Sequence, residues 1–309
     1  LCLALGVTPY EMFLQAVGAA DDPASHGRQM PSHWGHRGLN IVSQGSPTGT
    51  QCLQAVGCAE AGRLWSRLPG IPDRETRFHP DEVVYVSLGE GAPAEGEFWE
   101  SLNTACGRKL PVVYLVQDNG YAISVPVEVQ TPGGDISRIV SSFPHLLVLK
   151  TDGTSYLDSY STMRRAVAYA REGNGPALVH AHVVRPYSHS LSDDERLYKT
   201  PGEREAEAAR DPLRRMADLL LARGCATEQA LAAMAAEVQR EVDEAAARAL
   251  EAPRPAKDTA EAWVCSPDVD PASSAFATEA RPEGKPDTMV AAINRTLRDE
   301  MAHEPRIVV

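Results

Sequence analysis

Two short segments of the chain combine residue types that chemistry can use. Gly89-Glu90-Gly91 sets a carboxylate between two residues that permit close backbone approach, directly after an apolar run. Asp118-Asn119-Gly120-Tyr121 sets an acid and an amide after the next apolar run, and 26 residues (Ala92 to Gln117) lie between the two segments. A charged group in such a setting points to a ligand site, one that needs a carboxylate here and an amide a whole βαβ crossover later. A lone Gly-x-Gly says little, because turns supply many; the spaced pair says more. No Gly-x-Gly-x-x-Gly opens a helix after the first strand, which argues against a dinucleotide site.

The elements around these segments explain how they can meet. The apolar, β-branched runs at 82–88, 111–117 and 145–150 suit strands buried on both faces. A helical segment at 95–107 separates the first two, and another at 155–172 follows the third and leads to a strand at 176–184. Strands alternating with helices predict an α/β fold with a parallel sheet, whose ligands bind beyond the carboxyl ends of the strands. Glu90 and Asn119 both lie just past such an end.

Upstream, Thr8-Pro9-Tyr10-Glu11 is a capping-box helix start, and the helix should fade at Gly18. Residues 20–45 read as a long loop, a class of segment that more often carries function. Ser46-Pro47-Thr48 then opens a helix rich in Gly and Ala, suited to close packing. After a second polar loop at 185–202, Asp211-Pro212 starts a helix that ends at Gly224, and Thr227 starts one running to Leu250; the two read as a packed pair with a solvated face. The proline-rich stretch 251–287 reads as a linker or an extended arm. An amphipathic helix begins near Thr288 with Ile293, Leu297 and Met301 on one face, and the final Arg306-Ile307-Val308-Val309 reads as the entry to a strand.

Composition narrows the partners. A net charge of −12 argues against a generic nucleic-acid surface or an anionic membrane, and no apolar run approaches the ~18 residues of a membrane span. The six cysteines form no Cys-x-x-Cys pair; Cys52, Cys58 and Cys106 read as buried small hydrophobes, and a reducing cytoplasm is expected. The chain opens on Leu1-Cys2-Leu3 and reads as an internal fragment without a signal peptide.

Taken together, Gly-Glu-Gly followed by the Asn-bearing segment resembles the thiamine diphosphate motif. The segments GRQMPSHWG (27–35), SPTGTQ (46–51), GEGAPAEGEF (89–98), DNGYAISVP (118–126) and RPYSHSLSDDERLY (185–198) resemble the alpha subunit of thiamine-dependent 2-oxo acid dehydrogenases, over residues 1 to about 275. The resemblance implies a thiamine diphosphate-binding fold, a parallel sheet flanked by helices with a C-terminal helical region. It implies that Glu90, Asn119 and the Tyr121 carbonyl hold Mg²⁺, which in turn holds the cofactor's diphosphate; such hard oxygen donors suit that ion. Gly89 flanks the acid, and the N–H groups of Gly91 and Ala92 would meet phosphate. Ser46 and Thr48 match the segment that contacts the aminopyrimidine ring, although relatives carry a bulkier apolar residue at the second position. His189 matches a histidine facing the reactive carbon, where imidazole can give and take a proton. Arg185 orders the same loop or meets phosphate, and His33 could face substrate. Gly45, Pro47, Thr50 and Gln51 match a loop that binds K⁺ in some members. Asp118 departs from the usual Asn, and Ser190, phosphorylated in some animal relatives, reads as an ordinary loop serine.

Glu90 and the segment 27–35 lean toward branched-chain 2-oxo acid members, since pyruvate-specific relatives generally have Asp at the acidic position; a pyruvate or acetoin dehydrogenase alpha subunit is the alternative. A non-catalytic, cofactor-retaining partner is a reading of another class, and the retained metal ligands argue against it. The resemblance places the activating glutamate on a beta subunit and a diphosphate-binding Tyr-Arg pair upstream of Leu1. Residues 288–309 resemble the start of such a beta subunit. The expected organisation is therefore a cofactor-binding domain at 1–250, an arm at 251–287 and the truncated start of a beta-type domain at 288–309. The parent would be an alpha–beta fusion, assembled as a homodimer or in an alpha2beta2-like way and serving a lipoyl-bearing acyltransferase. The piece alone is expected to bind cofactor weakly without turnover.

Overall fold

The computed structural model of the chain describes residues 1–65, 67–68, 79–262, 264, 268–270, 272–275 and 285–308. Four strands, β1 (Val84–Gly89), β2 (Val112–Asp118), β5 (Leu147–Asp152) and β6 (Ala177–His182), form one parallel sheet in the order β1-β2-β6-β5. A short antiparallel ribbon, β3 (Tyr121–Ala122) and β4 (Val125–Pro126), leaves the end of β2. The helices are α1 (Cys2–Leu5), α2 (Pro9–Val17), α3 (Thr50–Trp65), α4 (Gly96–Arg108), α5 (Val127–Gln130), α6 (Ile136–Ile139), α7 (Tyr156–Arg171), α8 (Pro201–Ala209), α9 (Pro212–Ala222), α10 (Glu228–Leu250) and α11 (Met289–His303). The fold is α/β, a parallel sheet flanked by helices.

The two-residue period of β2 builds both layers of the core. Val112, Tyr114 and Val116 face a cluster with Leu88, Cys52, Ala55, Phe98 and Leu102, so α3 and α4 cover that side. Val113 faces the opposite cluster with Leu149, Val179, Ala166 and Ala170, so α7 covers the other. The small residues Cys52, Ala55 and Ala59 form the buried stripe of α3, which lets it lie close against α4 and β1. Phe98 is fully buried on α4 and meets Tyr114 edge-on, with ring centroids 6.1 Å apart. The Tyr114 hydroxyl donates to Ser101 Oγ at 3.3 Å and Ser101 Oγ to Phe98 O at 2.8 Å, so both buried hydroxyls are satisfied. Truncating Phe98 to Ala would cost about 3–5 kcal/mol and loosen the crossover that separates Glu90 from Asn119. Burial pushes the Cys52 and Cys106 thiols up to about 11, in keeping with small hydrophobes. Among the described residues, Cys2, Cys52, Cys58, Cys106 and Cys225 are free.

Local chemistry sets most helix ends. Thr8 and Glu11 form the capping box of α2, and Gly18 ends it in the left-handed region. Thr227 caps α10 and Thr288 caps α11. The helix expected to open at Ser46 begins instead at Thr50, because Gly49 (φ +91°) breaks the helical path against Glu95. The segment before Asp211 contains α8, which sequence reading passed over although Thr200-Pro201-Gly202-Glu203 repeats the Thr-Pro-x-Glu pattern of α2.

Three expectations are corrected. The packing partner of α10 is α2 rather than α9: Ala249 lies with Leu14 and Ala19, and the Arg248 guanidinium stands 4.1 Å from the Tyr10 ring centroid. The buried stripe of α10 is only Ala245 and Ala249, too small to hold two helices. Arg306, Ile307 and Val308 form no strand, and Val309 lies outside the described residues. The beginning of the arm is not extended: Pro253 O accepts from Ala20 N at 2.8 Å and Thr259 O from Arg28 at 2.8 Å, so it folds back on the first long loop. Pro267, Pro271 and Pro282 lie outside the described residues. Ile293, Leu297 and Met301 of α11 are exposed. No helix among the described residues is long and apolar enough to cross a membrane.

Candidate functional site

β1 and β2 run side by side with Gly89 opposite Gln117, so the residues after each strand emerge at the same edge of the sheet. Glu90 is 2% exposed, and its Oε2 accepts from both the backbone N–H and the side-chain amide of Asn119, each at 3.2 Å. Asn119 Oδ1 is buried and has no hydrogen-bond partner among the described residues. Burial pushes the Glu90 carboxyl up from its ordinary value, against the pull of its own and Asn119's backbone N–H groups; Asp118 nearby adds to the rise. A buried carboxylate beside an orphaned amide oxygen is a poor resting arrangement for a protein alone. It is a good one for a cation that prefers hard oxygen, so the donor set fits Mg²⁺. Gly91 is required sterically: a Cβ there would stand 2.7 Å from the Ala122 Cβ of the ribbon. Ala92 is buried in the turn leading into α4, while Gly89 closes β1.

Behind Asn119 lies a network that sequence reading missed. Asp118 Oδ1 accepts from Gly120 N, and Oδ2 accepts from His180 Nε2, both at 2.8 Å. His180 Nδ1 stands 3.5 Å from Asp135 Oδ1, and Lys150 Nζ donates to Asp135 Oδ2 at 2.5 Å. Burial alone would raise Asp118, but the His180 hydrogen bond and the Gly120 N–H outweigh it and hold the carboxyl below its ordinary value. For Asp135 burial is likewise outweighed, by Lys150 and Ser137, and its carboxyl is depressed. His182 lies beside His180 and is lowered by burial and then by that imidazole. The available signal was His180-Ala181-His182 in a strand, whose alternation puts both imidazoles on one face.

The remaining candidates form two groups joined to this core. Arg185 donates to Ile123 O at 2.8 Å and to the Tyr198 hydroxyl at 2.6 Å, which in turn donates to Asp193 Oδ2 at 2.6 Å. Asp193 Oδ2 also accepts from His189 N at 2.8 Å, so a chain of hydrogen bonds runs from Ile123 in the ribbon loop through Arg185, Tyr198 and Asp193 to the His189 backbone. Burial and the bond to Asp193 push the Tyr198 hydroxyl up to about 12. Lys199, buried, pairs with Glu207 at 2.6 Å and Glu195 at 3.4 Å, and the Tyr121 hydroxyl donates to Glu203 at 3.0 Å. The loop is thereby fastened to α8. His189 and Ser190 are exposed.

In the second group, Ser46 Oγ and His33 Nε2 are 3.0 Å apart, and buried Gln15 donates to His33 O at 2.8 Å. Thr48 is exposed. A Cβ at Gly49 would stand 3.1 Å from Glu95 Cβ, which places this loop against the start of α4 and hence beside the turn after Glu90. Gly45 and Gln51 are half-buried, and Gln51 donates to Ser87 O at 3.4 Å.

A parallel α/β sheet with a carboxylate and an amide meeting past the ends of adjacent strands defines a ligand-binding α/β protein. The chain belongs to the dehydrogenase E1 component family, whose sequence model matches residues 1–258. It is similar to the 2-oxoisovalerate dehydrogenase subunit alpha of Bacillus subtilis, 34% identical over 260 residues, 84% of this chain and 74% of that one. The mitochondrial 2-oxoisovalerate dehydrogenase subunit alpha of Homo sapiens is 31% identical over 249 residues, 80% of this chain and 53% of that one. The 3-methyl-2-oxobutanoate dehydrogenase subunit alpha of Mycobacterium tuberculosis is 34% identical over 218 residues, 68% of this chain and 56% of that one. The chain thus spans about three quarters of the first relative and little more than half of the other two.

Proposed function

We propose that this chain is the alpha-type part of a thiamine diphosphate-dependent component that decarboxylates a branched-chain 2-oxo acid and passes the acyl group to a lipoyl arm. The observation that carries the reading is the orphaned Asn119 Oδ1 beside the buried Glu90 carboxylate, past the ends of neighbouring parallel strands. Glu90, Asn119 and the Tyr121 carbonyl hold Mg²⁺, and the N–H groups of Gly91 and Ala92 meet the diphosphate. When bound, thiamine diphosphate supplies the electron sink into which the bond to CO₂ breaks. The protein holds that group in place, shields it from water and presents His189 for proton transfer. Arg185 acts as the brace of the His189 loop, which its bonds to Ile123 and Tyr198 support. Ser46 and Thr48 contact the aminopyrimidine end, and the His33–Ser46 pair puts His33 beside them.

K⁺ in the loop 45–51 belongs to the same proposal and would draw on that loop's carbonyl oxygens. The branched-chain assignment follows the names of the relatives above. Residues 1–250 form the cofactor-binding domain, 251–287 the arm, and 288–309 the start of a beta-type domain that completes the site. A beta-type chain, fused or separate, and a lipoyl-bearing acyltransferase are the partners, in a homodimer of fusions or an alpha2beta2-like assembly. The five cysteines among the described residues are free, which supports the reading of a reducing compartment, the cytoplasm.

The test is decarboxylation by the complete polypeptide with an artificial electron acceptor, on 3-methyl-2-oxobutanoate and on pyruvate, with and without thiamine diphosphate and Mg²⁺. Cofactor-dependent turnover favouring the branched acid is expected. Preference for pyruvate would overturn the substrate, and no turnover with cofactor bound would overturn the activity.

A further inference from the structure

We propose that Asp118, His180 and His182 form a second divalent-cation site, for zinc-class ions, separate from the Glu90–Asn119 pair. One donor atom from each of the three residues lies within 4.8 Å of the others. Parallel pairing sets Asp118 opposite His182 across β2 and β6, and His180 stands two residues earlier on the same face. Asp118 Oδ2 is 2.8 Å from His180 Nε2 and 3.8 Å from His182 Nδ1. Zinc bonds to nitrogen and oxygen are about 2.0–2.2 Å, so tetrahedral donors stand about 3.4 Å apart, a value the two observed separations bracket. The two imidazole rings are 4.5 Å apart between centroids.

The surroundings are those of a ligating histidine. His180 is 1% exposed, and its Nδ1 has no hydrogen-bond partner among the described residues, with Asp135 Oδ1 standing 3.5 Å away. Without an ion the ring donates from Nε2 to Asp118 Oδ2; an ion on Nε2 takes the place of that proton, and the ring N–H then sits on Nδ1, which faces the Asp135 carboxylate. Lys150 in turn holds Asp135. Asp118 and His180 are buried, whereas the His182 side chain is 51% exposed, which gives an entry path and leaves a coordination position for water. Two imidazoles and one carboxylate select zinc-class ions over Mg²⁺, whereas the all-oxygen set at Glu90 and Asn119 selects the reverse. Asp118 Oδ1 keeps its bond to Gly120 N, so an ion on Oδ2 leaves the turn carrying Asn119 in place. The site does not depend on the cofactor reading.

The test uses the chain stripped of metal and titrated with ZnCl₂ by calorimetry in excess Mg²⁺. One Zn²⁺ per chain is expected, with X-ray absorption showing two imidazoles and no sulfur in the coordination shell. His182→Ala should fold normally, judged by its melting curve, and bind at least ten-fold more weakly. Asp135→Asn should weaken binding by about 10–100-fold, the usual cost of losing an outer-shell partner. No zinc bound by the wild-type chain, unchanged affinity in His182→Ala, or sulfur ligation (from Cys2 or Cys225, for instance) would each overturn the proposal.

Discussion

Replacing Asn119 with Ala would separate the structural duty of that side chain from the ligand-binding one proposed for it. The Nδ2 bond to Glu90 Oε2 at 3.2 Å is lost; a hydrogen bond to a charged group contributes about 1.5–3 kcal/mol. Glu90 retains the backbone N–H of residue 119, so the low end of that range applies. At about 2–4 °C per kcal/mol for a chain of this size, the apo protein should melt about 3–6 °C lower. The second duty is visible only with ligand. Thiamine diphosphate with Mg²⁺ at about a hundred times Kd stabilises the wild-type chain by about 2.7 kcal/mol, a rise of at least 5 °C by the same conversion. Loss of one of two side-chain oxygen ligands that weakens binding a hundredfold leaves about 0.4 kcal/mol at the same concentration, a rise of about 1 °C. Differential scanning fluorimetry with cofactor and Mg²⁺ together, and with each alone, reads both quantities. A variant with the full wild-type rise would refute the role of Asn119. A wild-type rise that does not need Mg²⁺ would refute the metal site itself.

Two further outcomes follow from the packing. Asp152 holds α9 to the end of β5 through Arg215 at 2.8 Å, and although burial opposes it, Thr154 and Arg215 hold the carboxyl below its ordinary 3.8. A depressed acid stabilises the fold fully above its unfolded value and loses that contribution as pH falls through the folded one. Stability should therefore drop below about pH 3.8 in the wild type and less steeply in Asp152→Asn; urea midpoints at successive acid pH values check this, and equal slopes would count against it. Thr200→Ala removes the capping box of α8 and should cost about 1 kcal/mol, read as faster amide exchange in 201–209. Unchanged protection there would show that Lys199 and its glutamates hold the helix without the cap.

Glu90 and Asn119 were legible as neighbours because a parallel α/β sheet delivers the ends of successive strands to one edge, and both residues follow apolar runs. The helix starts at Thr8, Asp211, Thr227 and Thr288 were legible for a related reason: a cap is a contact between residues three apart or fewer, written wholly in adjacent letters. The same local signal at Thr200 was present and overlooked. The start of α3 differs from the expected one because Gly49 responds to Glu95, the residue that precedes α4 and lies 46 positions further along the chain.

Amino-acid order alone thus determined the layer pattern, most helix caps and the acid–amide pair, all consequences of short-range periodicity and turn chemistry. Tertiary structure decided that α10 lies on α2, that Arg185 is linked to the His189 backbone through Tyr198 and Asp193, and that His180 stands between Asp118 and Asp135. Those contacts join segments far apart in the chain, and their geometry comes from strand register. A shift of β6 by one residue against β2 would turn His180 and His182 to the opposite face of the sheet, leaving Asp118 buried without its partner.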